Sequence, residues 1–428
     1  MSPLLPLKRK PGLLPLVLLF SAWLLSLLPL SAWASGADSS GTEGTAAAQV
    51  QSAAPASSGT DGESVAGDLA RQQASEVDLG PIEKFWDQLR GEYGGYFPEG
   101  KAPSLKQLMF PSGQPWDAGQ AVVGLARFFL HEVLYSGKLI ITIVLLAIFT
   151  MILETMQNAF ERNAVSKVAY AIAYMVLLII AVNSFRSATQ YAGDAIGNMV
   201  QFMLAMVPLL LTLLASTGGV TTVAVLHPLI VFMIHTVGTL IHLFVFPMLF
   251  FSAVLHLVSS ISDRYKVTQL ANLLRSIGVG LLGVLLTIFL GVLSIQGATS
   301  AVSDGIALKT AKFVTGNFVP VVGRMFSDAA DTVLSASLLV KNAVGLAGVV
   351  ILLFLCAFPA VKILTLALIY NLSAAVLQPL GDTPIVQCLQ TIGKTMIYVF
   401  AALASVGLMF FLAVTIILTA GNASVMMR

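Results

Sequence analysis

The sequence predicts an all-α, polytopic helical membrane protein with a cleaved signal peptide and a short extracytoplasmic helical segment. Three observations carry this. Of 428 residues, 57% are hydrophobic and 10% charged, where a soluble domain is roughly half apolar and a quarter charged. Mean hydropathy is +0.88. The charge is also unevenly placed: residues 35–137 hold 13 of the 21 acids and 6 bases, whereas residues 138–428 hold 8 acids and 14 bases. The first block suits water and the second lipid. A formal net charge of +2 carries no nucleic-acid signature. Cys356 lies in an apolar run and Cys388 in an expected loop, so the pair makes neither a disulfide framework nor a metal site.

The amino terminus has the parts of a secretory signal. Lys8, Arg9 and Lys10 form a basic region, Leu13 to Leu30 is apolar, and Ala32-Trp33-Ala34 fits an A-x-A cleavage site. Residues 1–34 therefore read as a signal peptide, with an uncleaved anchor as the alternative. Either way the following segment starts outside the cytoplasm.

Residues 35–75 are rich in Ala, Ser, Gly, Thr and acids without an apolar period. They read as a disordered acidic tether. Residues 76–137 form the extracytoplasmic segment. Ile82, Phe85, Trp86 and Leu89 make one side of a short amphipathic helix, and Leu125, Phe128, Phe129 and Val133 one side of another. This segment fits a cap lying on the outer leaflet, or a docking surface for an extracytoplasmic partner.

Residues 138–428 are the polytopic domain. Crossing the hydrocarbon takes about 20 apolar residues. Runs at 139–159, 168–184, 199–217, 276–297, 343–361, 363–380 and 396–420 qualify. The run 220–260 is about twice the needed length, so it should form two spans turning near Gly238, with kinks at Pro228 and Pro247. The expectation is about nine spans. Basic residues in 160–167 and 261–275 place those loops in the cytoplasm.

Within this domain, 299–342 is not fully apolar. At 100° per residue, Ala307, Ala311, Val314 and Phe318 share one helix face, with Lys309, Lys312 and Gly316 opposite. Gly316, Pro320 and Gly323 should interrupt the helix. A second helix carries Arg324, Asp328, Asp331, Ser335 and Asn342 on one stripe. Such an amphipathic pair needs water or a partner for its polar faces. Lys309, Lys312, Arg324, Asp328 and Asp331 are thus a candidate channel or partner surface, with a solvated interfacial face as the alternative.

Catalytic motifs fail. His131-Glu132 begins H-E-x-x-H, but Tyr135 replaces the second His. Gly381-Asp382 lacks the first glycine of an intramembrane aspartyl protease motif, since Pro379 stands there. G-x-S-x-G and Walker A are missing. His235 and His242 lie seven residues apart, about 10.5 Å on a straight helix, too far to chelate one metal. They should face the bundle interior, as packing or hydrogen-bonding groups or as a proton relay. No catalytic, cofactor or metal residue is assigned. Gly278, Gly280 and Gly283, Gly345 and Gly348, and Gly193-x-x-x-Gly197 point to close helix packing, within one chain or between copies.

Several stretches carry a resemblance. They include Phe85-Trp86-Asp87-Gln88-Leu89, Glu92-Tyr93-Gly94-Gly95-Tyr96-Phe97-Pro98-Glu99, His227-Pro228-Leu229-Ile230-Val231 and Tyr265-Lys266-Val267-Thr268-Gln269-Leu270-Ala271. The most specific runs from Lys309-Thr310-Ala311-Lys312-Phe313 through Phe318-Val319-Pro320-Val321-Val322-Gly323 to Phe326-Ser327-Asp328-Ala329. Over about residues 80–428 the chain resembles the stage III sporulation protein AE family of endospore-forming bacteria. The resemblance implies a multi-pass subunit of a complex in the mother-cell membrane facing the forespore. That complex, with a forespore-membrane partner protein, would form a channel or secretion-like conduit that sustains forespore development and late forespore gene expression. The family has no assigned catalytic residues. On the residues alone, a stand-alone secondary transporter is the alternative, and a membrane scaffold without a conduit a third.

Overall fold

The computed structural model describes residues 67, 69–74, 77–96, 103–110, 118–159, 164–261, 267–318, 322–381 and 383–426. The expected signal peptide and most of the expected tether lie outside them. Among the described residues helix is the only regular structure. In chain order these are α1 (Gly80–Tyr93), α2 (Leu105–Met109), α3 (Ala118–Tyr135), α4 (Gly137–Ala159), α5 (Ala164–Ser216), α6 (Val220–Leu240), a π segment (Ile241–Val245), α7 (Phe246–Ile261), α8 (Thr268–Phe318), α9 (Val322–Leu377) and α10 (Pro384–Met426).

Six helical stretches among the described residues are long and apolar enough to cross a membrane: Gly119–Met156, Val168–Ser216, Val220–Ser259, Thr268–Ala307, Thr332–Leu380 and Pro384–Ala420. Three boundaries expected from the sequence are absent. Runs 168–184 and 199–217 are one helix, α5. Runs 343–361 and 363–380 are one helix, α9. The turn expected near Gly238 is also missing, because α6 continues through the π segment into α7. The reason lies at Pro247, which cannot donate a backbone bond and whose ring would strike the carbonyl four residues back. The helix loosens by one residue just before it, and the Phe246 N–H donates to the Ile241 carbonyl, five residues back. Gly238 packs on α5 instead: a Cβ there would meet Val200 Cγ2 at 3.0 Å.

The long helices form one bundle with α10 at its centre. Val399, Ala402, Leu403, Val406, Met409, Phe410, Ala413 and Val414 are completely buried along it. Small residues set the approach distances. A Cβ on Gly407 would meet Cys356 Sγ of α9 at 2.7 Å. One on Gly345 would collide with Leu418 of α10, and one on Gly348 with Met206 of α5. These glycines serve packing within the chain. Cys388, expected in a loop, lies within α10 and is 1% exposed.

The segment expected to be extracytoplasmic packs on the bundle rather than lying as a separate cap. Its apolar faces form as the periodicity predicts, with Ile82, Trp86, Leu89 and Phe128 buried. Trp86 Nε1 donates to the Pro103 carbonyl at 2.8 Å. Its ring sits 6.3 Å from Phe354 of α9, and Tyr93 stacks on Phe358 at 3.9 Å. Phe85 meets Phe202 of α5 edge-on at 5.4 Å. Phe85, Trp86 and Tyr93 are therefore committed to contacts within the chain. Burial and the neighbouring Glu92 carboxylate push the Tyr93 phenol well above its ordinary range, so it stays neutral against that apolar wall. Some residues at the end of the expected tether are ordered on the bundle. Residues 69–74 are helical, Ala70 is fully buried, and Ser337 Oγ of α9 donates to Gln73 Oε1 at 3.2 Å.

Candidate functional site

The amphipathic pair expected over 299–342 is a helical hairpin, the end of α8 followed by the start of α9. Gly316 and Gly323 do not break it. Both are helical, and residues 319–321 between them lie outside the described residues.

Two buried polar contacts hold the base of the hairpin. Asp304 of α8 is 2% exposed. Its two carboxylate oxygens accept from the Thr221 and Thr222 N–H groups, each at 3.0 Å. Those amides open α6, whose N-cap is Gly219 and has no side-chain oxygen to offer. Asp304 thus caps α6 from another helix, and its charge suits the positive end of the helix dipole. Past this contact α8 continues to Phe318, about 21 Å at 1.5 Å per residue.

On the α9 side, Lys341 is 0% exposed. Its Nζ donates to the Leu418 carbonyl at 3.0 Å and to Asn422 Oδ1 at 3.2 Å, both on α10. Gly345, one turn on, lets α10 come close enough for that reach. A buried ammonium must satisfy its donors inside the protein, and here two neutral oxygens accept from it. Ser337 and Lys341 lie one turn apart, so the Gln73 contact falls on the same part of α9.

Of the candidate surface residues, Lys309 is exposed on α8 beyond Asp304, close to Ile306 at 62% and Phe313 at 71% exposure. Lys312, Arg324, Asp328 and Asp331 are on the helical backbone of the hairpin, and their side chains lie outside the described residues. All five lie on the helices that flank residues 319–321, and none of them is in a described contact.

Sequence reasoning missed Asp304 and Lys341 as anchors because their partners are distant in the chain. One signal was available. Lys341, Gly345 and Gly348 recur at four and three residues and share a helix face, so a lysine in line with two packing glycines points inward. His235 and His242, expected inside the bundle, are exposed, as is His227. His131 of α3 pairs with the Tyr96 hydroxyl at 3.1 Å. Among the described residues no group of three His, Cys, Asp or Glu could hold a metal ion.

Comparison with known proteins agrees with the family resemblance. The family model described as stage III sporulation protein AE matches residues 104–421. The chain is similar to "Stage III sporulation protein AE" of Bacillus subtilis (strain 168), with 52% identity over 379 residues, 89% of this chain and 95% of that protein. No solved structure matches. With a family model spanning most of its membrane bundle and a relative of this identity across nearly its full length, the chain belongs to the stage III sporulation protein AE family.

Proposed function

We propose that this chain is an integral-membrane subunit of a channel or secretion-like complex joining mother cell and forespore, needed for forespore development and late forespore gene expression. It sits in the mother-cell membrane facing the forespore, with its amino-terminal segment extracytoplasmic. It works with other stage III subunits and a forespore-membrane partner protein, and not as an enzyme. The observation that carries this is the 52% identity to a stage III sporulation protein across 89% of the chain. The hairpin adds a physical reason. Asp304 and Lys341 fix its base to α6 and α10, so the helices beyond are held in place as a surface for another subunit or for water.

In Bacillus subtilis lacking its own relative, this chain should restore heat-resistant spores. The double charge reversal Arg324→Asp with Asp328→Arg should abolish that rescue while the protein stays at normal level in the membrane. Full rescue by the double variant would remove the hairpin from the mechanism. Solute flux by the purified chain alone in liposomes would favour a stand-alone transporter instead.

A further inference from the structure

α5 is 53 residues long and continuous, and its middle is polar on one side. Asn183, Arg186, Gln190, Asp194 and Gln201 are all exposed, with Asn198 half-buried among them. Steps of three, four and seven residues lay them on a single stripe. From 183 to 201 it runs about 27 Å at 1.5 Å per residue. The opposite side of the same turns is closed. Phe185, Ala188, Ala192, Ile196, Met199 and Phe202 are each 0–1% exposed.

The stripe has a polar neighbour. His235, Thr239 and His242 are exposed on α6 and the π segment, at i, i+4 and i+7. His242 lies directly on α5: a Cβ on Gly193 would meet its Cε1 at 2.8 Å and both ring nitrogens at 3.7 Å. Gly193 is thus required for the imidazole to lie there, and Asp194 is the next residue. The extra residue of the π segment re-aims the helix at this point. The two helices therefore share a polar seam midway along the bundle. Toward the start of α5 the exposed surface is apolar instead, through Val168, Ile172, Met175, Val176 and Ile179.

We infer that this seam is hydrated within the membrane layer and lines a path for small polar solutes. Arg186 and Asp194 exposed to hydrocarbon would be costly, and charged groups in membrane helices face water or a polar partner. The stripe holds one cation, one anion and four neutral amides. A lining so balanced in charge suits neutral or mixed-charge hydrated solutes rather than ions of one sign. The inference rests on the proposed conduit and places part of its lining on α5, away from the hairpin.

The test uses the full chain in membranes of sporulating cells. Cysteines replace Gln190, Asp194 and Gln201 on the stripe, and Ile172, Ile179 and Thr212 on the flanks. The native Cys356 and Cys388 are buried and give a low background. The probe is a charged methanethiosulfonate reagent, which reacts with the thiolate formed in water. The stripe should label about tenfold or more faster than the flanks, because a thiol in hydrocarbon stays protonated. Labelling as slow as at Ile172 and Ile179 overturns the inference. So does equal labelling of either flank, which would place the middle of α5 in bulk solvent outside the membrane. A bulky reagent on Asp194→Cys should stop late forespore gene expression. Fast labelling with unchanged expression would overturn the solute path and leave the hydration standing. Failure of the rescue by the unmodified chain would sink the conduit reading by itself.

Discussion

Two places in this bundle interrupt a greasy surface with charge, and they do so in opposite ways. At the base of the hairpin, Asp304 and Lys341 are 2% and 0% exposed and each has its hydrogen bonds made inside the chain. In the middle of α5, Arg186 and Asp194 lie on the open face of a helix whose other side is closed. The same residue types serve as internal fasteners in one place and as a wetted face in the other. Burial decides which. Substitutions should therefore separate the two regions by their effect on stability.

The largest effect belongs to Lys341. Lys341→Glu puts a carboxylate against the Leu418 carbonyl and Asn422 Oδ1, which offers two acceptors to an acceptor. An uncompensated charge buried there should cost about 3–5 kcal/mol. Thermal unfolding of the detergent-extracted protein should show a large fall, and the level in the membrane should drop. Lys341→Met keeps the packing volume and loses only the two hydrogen bonds, so it should cost clearly less. Equal losses for the two variants would mean that Lys341 matters as filler and not as a fastener.

Asp304→Ala comes next. It leaves the Thr221 and Thr222 amides without their acceptor. At roughly 1–3 kcal/mol for each buried orphan donor, and with Thr221 partly reached by water, the cost should be about 3 kcal/mol. Hydrogen exchange should speed up in the first turn of α6 and leave α10 unchanged.

How much of this was legible depends on which force shapes each element. The aromatic face of α1 was fully readable, because Ile82, Trp86 and Leu89 recur with the period of a helix and burial follows the period. The pair was readable as two helices, although Gly316 and Gly323 proved tolerable inside them. The length of α5 was not read correctly. Residues 185–198 read as a break between two spans because they are polar, yet their polar positions already keep a helical period. Hydropathy averages over all sides of a helix and erases a one-sided stripe. The π segment was also hidden. Pro247 promised a kink, but only the packing of His242 on Gly193 shows how the chain absorbs it. The partners of Asp304 and Lys341 are distant in sequence, and no local pattern names them.

Gly193 offers a middle-sized test of that packing. Gly193→Val would push its branches into the His242 ring, and overpacking of this kind should cost about 1–2 kcal/mol. Truncating the ring with His242→Ala should return most of the loss, so the two changes should be strongly non-additive. Additive losses would mean that the imidazole lies elsewhere and that the seam is not formed as described.

The smallest expected effect on stability is at Gln190, and it is the most informative about function. Gln190 is exposed in the middle of the stripe, one turn from both Arg186 and Asp194. Gln190→Leu removes no buried contact, so folding should change by no more than about 0.5 kcal/mol. In a wetted path the same change dries the centre of the lining, and an apolar constriction resists the passage of water and solutes. Late forespore gene expression should therefore fall while the melting temperature and membrane level stay at the parent's values. A lipid-facing stripe predicts the reverse, since leucine would suit hydrocarbon better than glutamine: stability would rise slightly and expression would hold. The sign of two small measurements on one variant thus separates a water-lined helix from a lipid-lined one.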